Sequence, residues 1–195
     1  MNERGHMTEV KKKKLVTPEF RGSYVNLAKP RSVGTGDPRY SILMPLPESD
    51  PFVKIMQERE KEVAIEKWGK VPKKLKSALK FGADREGDED GVDEFEGCVT
   101  VNFSSADEPG LVYFDEDGDK AAITDKKMLY SGAFYRVSTR PYAWEHETGG
   151  RGVSWSLDNV LWVRGGTPIS GRGNAEDDFS NIKPSASNDD DDMLD

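Results

Sequence analysis

The stretch Phe134-Tyr135-Arg136-Val137-Ser138-Thr139-Arg140-Pro141-Tyr142-Ala143-Trp144 decides the fold, because apolar and polar residues alternate along it. In an extended strand alternate side chains share a face. Tyr135, Val137, Thr139 and Ala143 then line one side and have the character of a core face. Phe134, Arg136, Ser138, Arg140, Tyr142 and Trp144 line the other side, which carries two guanidinium groups among aromatic rings. Such a stripe suits a single-stranded polynucleotide, whose bases stack on rings at about 1–3 kcal/mol each while arginines meet phosphates. Aromatic residues are also common in small β cores, so Tyr142 and Trp144 packed beneath a loop is the competing reading.

Outward from this stretch the chain reads as β-rich. Ala133 to His146 and Val153 to Val163 form two long strands joined by Glu147-Thr148-Gly149-Gly150-Arg151-Gly152. Phe20 to Leu27 and Tyr40 to Leu46 alternate between Pro and Gly punctuation, with the basic loop 28–38 between them. Cys98 to Ser104 and Leu111 to Phe114 are further strands. One helix opens at Ser49-Asp50-Pro51, an acid at the N-cap before proline in the first turn, and stops at Gly69. Phe52, Ile55, Met56 and Val63 make its apolar face. Five or six strands and one helix without βαβ alternation give a mainly β chain, a small Greek-key barrel in preference to a sandwich.

Charge is segregated along the 195 residues, whose net charge is -8. Asn174 to Asp195 hold 8 acids and 1 lysine, ending in Asp189-Asp190-Asp191-Asp192-Met193-Leu194-Asp195. That composition cannot bury enough apolar surface to offset the entropy of ordering, so 174–195 is expected to be a disordered acidic tail. It is either a solubility device or a polyanion that shields a basic site. Residues 84–96 hold another 8 acids and 1 arginine, and read as a surface loop inserted in the domain. Residues 1–83 carry 18 Lys and Arg against 10 Asp and Glu, including a flexible basic arm at 1–14 and the run Lys70 to Lys80. What matters for a polyanion is whether these cations share a face. The remaining 15–173 is long enough for one domain with a single core.

Signals for catalysis are weak. Neither histidine has an HExxH setting, and Gly165 to Gly171 lacks the Gly-Lys-Ser/Thr of a phosphate loop. Asp115-Glu116-Asp117-Gly118-Asp119 looks like a calcium loop, but its glycine falls fourth and Lys126 stands where a bidentate Glu is needed, so it reads as a turn. No metal or other cofactor is implied. Cys98, the one cysteine, reads as a buried core thiol in a reducing cytoplasm. No apolar run approaches the roughly 20 residues that cross a bilayer.

Several segments together resemble a group of bacteriophage single-stranded-DNA-binding proteins. They are Phe20-Arg21-Gly22-Ser23-Tyr24-Val25-Asn26-Leu27, Gly36-Asp37-Pro38-Arg39-Tyr40-Ser41, Trp68-Gly69-Lys70-Val71-Pro72-Lys73-Lys74-Leu75-Lys76, Tyr130-Ser131-Gly132, Leu157-Asp158-Asn159-Val160 and Gly171-Arg172-Gly173-Asn174-Ala175-Glu176-Asp177-Asp178-Phe179. They run in order through the whole body of the chain. The resemblance implies an OB-fold over 15–173 that coats single-stranded DNA in phage replication. It also implies an acidic tail that recruits replication partners such as a polymerase, helicase or primase. This tail departs from the pattern by ending in Met193-Leu194-Asp195 in place of an aromatic residue. Candidate DNA contacts are Lys29, Arg31, Arg39 and Tyr40 at the first loop, and Lys73, Lys74 and Lys76 after the helix. Arg136, Arg140, Tyr142 and Trp144 on the stripe and Arg151 at the last hairpin complete the set. A homodimer is compatible with this reading. Two other classes stay open: an acidic interaction module that mimics nucleic acid, and a metal-dependent nuclease.

Overall fold

The structure, a computed structural model, describes residues 14–32, 34–82 and 95–169. Twelve strands and one α-helix follow in the order β1 (Leu15–Val16), β2 (Phe20–Arg21), β3 (Ser23–Arg31), β4 (Arg39–Pro47), α1 (Pro51–Trp68), β5 (Lys80–Phe81), β6 (Cys98–Ser105), β7 (Gly110–Phe114), β8 (Lys120–Ala122), β9 (Phe134–Thr139), β10 (Pro141–His146), β11 (Gly150–Ser156) and β12 (Asn159–Arg164). The mainly β class with a single helix is borne out. Among the described residues the strands number twelve where five or six are expected, in part because β1, β2, β5 and β8 are two or three residues long. Alternation cannot register over so short a span.

The strands make two sheets. The first runs β1-β9-β12-β7-β8, with β2 also on β9, and the second runs β10-β11-β6-β4-β3, with β5 on β6. Each of the two long strands expected at the C-terminal end is in fact two strands that pass from one sheet to the other. The first breaks at Arg140, where buried Pro141 has no N–H to continue a ladder, and the backbones of Arg140 and Ser156 close the corner at 2.9 Å. The second breaks at Leu157 and Asp158, whose N–H groups donate to Ser104 and Ser138, one in each sheet. The two corners lie side by side, so β9-β12 and β10-β11 are the halves of one bent hairpin.

Between the sheets lies one core, in which Trp155, Tyr135 and Phe103 are the largest fully buried side chains. The alternation around Tyr135 holds as read: Tyr135, Val137 and Thr139 are buried and Arg136 is exposed. The Tyr135 hydroxyl donates to the Tyr130 carbonyl at 2.9 Å and accepts from the Tyr130 N–H at 3.0 Å, and burial pushes its phenol pKa up. The turn at 115–119 joins β7 to β8, with the Asp115 carboxylate accepting from the Asp117 and Asp119 amides.

Helix α1 is capped as its sequence indicates. The Asp50 carboxylate accepts from the Phe52 N–H at 2.8 Å, and Gly69 ends it at φ 72, a left-handed conformation that costs glycine no Cβ clash. Its buried face is Val53, Met56, Glu60 and Ala64, while Ile55 is exposed, so the stripe is rotated from the one expected. The reason is Glu60. The residue is 4 % exposed, and its carboxylate accepts from Trp155 Nε1 at 3.0 Å, the Ala78 N–H at 3.2 Å and Ser77 Oγ at 2.6 Å. A buried charge with three donors turns that edge of the helix inward, and hydropathy alone gives it no weight. Cys98 is half-buried at the start of β6, less enclosed than the core thiol expected. Among the described residues no helix is long and apolar enough to cross a membrane.

Candidate nucleic-acid interface

The outer face of the second sheet is built from aligned rows. Asn26, Ser41, Ser104 and Ser156 are successive partners across β3, β4, β6 and β11, and the Asn26 amide donates to Ser41 Oγ at 3.1 Å. The row ends at Arg140, whose backbone N–H donates to Ser156 Oγ at 3.0 Å. A neighbouring row pairs Tyr142 with Ser154, and the next pairs Trp144 with Gly152. Asn102 on β6 and Leu43 on β4 are in register with each other and face the same side. Among the described residues none of the outward side chains in these rows is acidic. From β10 to β3 is four strand spacings, about 19 Å.

Trp144 lies flat across Gly152: a Cβ at that glycine would stand 2.3 Å from the indole ring, so only glycine admits it. The indole N–H donates to Ser154 Oγ at 3.0 Å, and the ring is half-buried. Tyr142 on the same face is 39 % exposed and, with Arg140, Pro141 and Ser156, lines a shallow cavity of about 180 Å³. Gly152 pairs on its other side with Lys76, whose N–H donates to the Arg151 carbonyl and whose carbonyl accepts from the Val153 N–H, both at 2.9 Å. Lys80 pairs with Thr100 on β6. The stretch Lys76 to Lys80 therefore spans the opening where β11 and β6 diverge, and brings the basic segment after the helix into the sheet.

Arg151 lies on the opposite face of the hairpin. Its guanidinium donates to Glu145 Oε1 at 2.7 Å and stands 5.6 Å from the centroid of the Trp68 ring. Trp68 Nε1 donates to Glu145 Oε2 at 3.1 Å, and Lys67 Nζ donates to the Ala143 carbonyl at 3.1 Å, tying the helix end to β10. Hydrogen bonds from Arg151 and Trp68 hold the Glu145 carboxyl below its usual range. Lys74 and Arg151 meet at an open groove of about 580 Å³ at the hairpin tip, shared with Glu145, His146 and Glu147. Lys73 is exposed beside it in sequence.

At the other end of the face, Arg31 and Arg39 are partners across the β3–β4 hairpin, and Arg39 Nε donates to Ser104 Oγ at 3.4 Å. Lys29 is exposed on β3, and Tyr40 is half-buried against the core. The structure adds Tyr24, which sequence reasoning passed over as an ordinary strand residue. It is 63 % exposed at a bulge in β3 and is the one non-glycine residue with positive φ among those described, at 47°. Its carbonyl accepts from the Asn26 amide at 3.1 Å. A large side chain in the left-handed region stores strain of the kind found at ligand clamps.

The stripe from Phe134 to Trp144 is thus divided between two faces. Phe134, Arg136 and Ser138 belong to the outer face of the first sheet, where Arg164 Cζ stacks 3.4 Å from the Phe134 ring centroid. Tyr142 and Trp144 belong to the second sheet, and Arg140 stands at the corner. Arg136 is therefore not brought together with Tyr142 and Trp144. The expectations for the arm at 1–13, for 84–94 within the acidic insert and for the tail at 174–195 fall outside the described residues. Phe95, at the end of that insert, is buried. Among the described residues no cluster of three or more His, Cys, Asp or Glu side chains could hold a metal ion.

Residues 13–194 match the profile of a family described as Enterobacter phage Enc34, ssDNA-binding protein. No curated protein sequence matches the chain. Among solved structures, the single-stranded DNA-binding protein from bacteriophage Enc34 is similar at 21% identity and a TM-score of 0.64, over 85% of this chain and 89% of that one. The same phage protein in complex with ssDNA superimposes at a TM-score of 0.66 and 20% identity, over 80% of this chain and 89% of that one. gp2.5, a single-stranded DNA-binding protein encoded by bacteriophage T7, is 16% identical at a TM-score of 0.53, over 89% of this chain and 96% of that one. The family match spans nearly the whole chain, and the chain belongs to the family of the Enc34 phage ssDNA-binding protein.

Proposed function

We propose that this member of the family binds single-stranded DNA, without catalysis and with little sequence preference, across the outer face of its second sheet. The observation that carries the reading is the row structure of that face: polar side chains and exposed rings with no outward acid, and cations at both ends. Tyr142 and Trp144 at β10 and Tyr24 at β3 stack bases. Arg140, Lys76 and Lys74 at one end and Arg39, Arg31 and Lys29 at the other meet phosphates. Serine and asparagine between them accept any base, because nothing there reads a particular base edge. Arg136 and Arg151, which point to other faces, contribute to the general field alone.

The wider role is protection of single strands in phage DNA replication or recombination. The acidic tail, released when DNA occupies the face, recruits replication proteins such as a polymerase, helicase or primase. Titration of oligo-dT against the protein over a range of salt, with and without Mg²⁺, tests the core of this reading. Salt-sensitive binding with the oligomer left intact supports it, and absence of binding at low salt refutes it. Loss of the oligomer only when Mg²⁺ is present would mean a nuclease.

A further inference from the structure

Asp158 lies at the corner where the sheets meet, in the break between β11 and β12. Its side chain is 10% exposed, and its backbone N–H donates to the Ser138 carbonyl at 3.0 Å, so the carboxylate has a fixed place. Ser156 Oγ donates to Oδ1 at 2.7 Å, while Arg140 Nε at 3.0 Å and Lys14 Nζ at 3.3 Å both reach Oδ2. Burial works to raise the pKa of this carboxyl, but the hydrogen bonds of Ser156, Arg140 and Lys14 outweigh it and hold the group below its usual range. It is therefore ionised at neutral pH, and one negative charge faces two positive ones.

The atom of Arg140 that the carboxylate takes decides what is left for a ligand. Nε is bonded, and among the described residues the two terminal nitrogens make no hydrogen bond. A phosphate takes two parallel N–H groups of an arginine, and the end of the fork stays open for it. Arg140 and Ser156 line the cavity beside Tyr142, so the held fork stands next to a ring proposed to stack a base. An arginine and an aspartate alone would cancel. Lys14, on the same carboxylate and half exposed, leaves the corner a positive surplus. An exposed arginine that is already held also loses less side-chain freedom when a phosphate binds. We propose that Asp158 is a positioning residue for single-stranded DNA: it fixes Arg140 and Lys14 so that the guanidinium fork and the ammonium group meet a phosphate of the strand that stacks on Tyr142. The inference rests on the single-stranded-DNA reading of that face.

The test compares full-length Asp158→Ala with the natural chain for binding of oligo-dT over a salt series, and repeats the change in an Arg140→Ala background. By field alone, loss of an acid beside the path of a polyanion should tighten binding. The positioning role gives the opposite sign. Asp158→Ala should weaken binding several-fold at low salt and flatten the slope of log K against log salt by about 0.7, the share of one phosphate on a single strand. In the Arg140→Ala background the same change should no longer weaken binding. Lys14→Ala, which leaves the pair of Arg140 and Asp158 in place, should flatten the slope as well. Tighter or unchanged binding by Asp158→Ala overturns the inference, and so does an equal loss in both backgrounds, which would mean that the carboxylate acts through the fold. An unchanged slope for Lys14→Ala overturns the two-cation site. If a thermal melt shows Asp158→Ala to be unfolded, Asp158→Asn, of nearly the same volume, takes its place in the comparison with the same outcomes. Failure of the natural chain itself to bind oligo-dT would instead remove the reading on which the inference stands.

Discussion

At the scale of single residues, the ring chemistry divides by what each ring touches. Tyr142 is 39 % exposed and its hydroxyl makes no hydrogen bond among the described residues, whereas Trp144 is packed on Gly152 and bonded to Ser154. Tyr142→Ala should therefore weaken oligo-dT binding by about 1–3 kcal/mol with an unchanged melting temperature. Trp144→Ala should lose both binding and stability. Tyr24→Gly should behave like Tyr142→Ala in a binding titration while melting no lower than the natural chain, because glycine relieves the positive φ as the ring is removed. Glu60 gives a pH signature. Burial raises its pKa above 4.5 against the opposing hydrogen bonds of Ser77, Trp155 and Ala78. The folded state then holds that proton more tightly than the unfolded one. The contribution is favourable below the unfolded pKa and lost as pH rises from there through the folded value. Glu60→Gln should remove that component from a plot of melting temperature against pH, and an identical pH profile for the two proteins would refute it. The period of two around Tyr135 was legible because strand geometry imposes it on the sequence. Tyr24 and Glu60 were not, since a positive φ leaves no mark on a tyrosine and three distant donors leave none on a glutamate.

At the scale of elements, the basic segment after the helix shows why sequence stopped short. Lys70 to Lys80 has neither a helical nor a strand period, and its structure comes from partners far along the chain: Lys76 beside Gly152, Lys80 beside Thr100, and Ser77 and Ala78 on Glu60. The same limit hid the break at Arg140. A strand that changes sheets keeps its alternation, so Phe134 to Trp144 reads as one stripe although the partners of its halves differ. The segment's place makes a graded prediction. Lys76 pairs into the row of Gly152 and Trp144, while Lys74 sits at the hairpin tip among Glu145 and Glu147. Charge reversal at Lys76 should weaken DNA binding most, reversal at Lys74 less, and reversal at Lys73 least, each with a shallower salt slope. Equal losses at all three sites in a salt titration would mean that only the general field acts. Gly152→Ala is the complementary change. A methyl group at 2.3 Å from the indole must displace Trp144, so affinity should drop although no ring or charge has been removed.

At the scale of the whole molecule, the net charge of -8 hides a face whose outward strand side chains, among the described residues, include no acid, because Asn174 to Asp195 hold 8 acids against 1 lysine. The segregation of charge was legible from the sequence, while the face that collects the cations depends on which strands pair. On the proposed reading of 174–195 as an acidic tail, a tethered segment of that charge would meet its own domain at an effective concentration on the order of millimolar. It should compete with DNA most strongly at low ionic strength, where charges are screened least. Truncation after Gly173 should accordingly tighten oligo-dT binding several-fold at low salt and less at high salt, with the fold retained. Removal of Met193 to Asp195 alone should leave that competition nearly intact, since most of the acids remain, while weakening capture of any partner that takes the apolar tip. Titrations of the three proteins side by side over a salt series separate the effects. If the full truncation leaves affinity unchanged at low salt, the tail does not visit the DNA face, and its acids serve solubility or recruitment only.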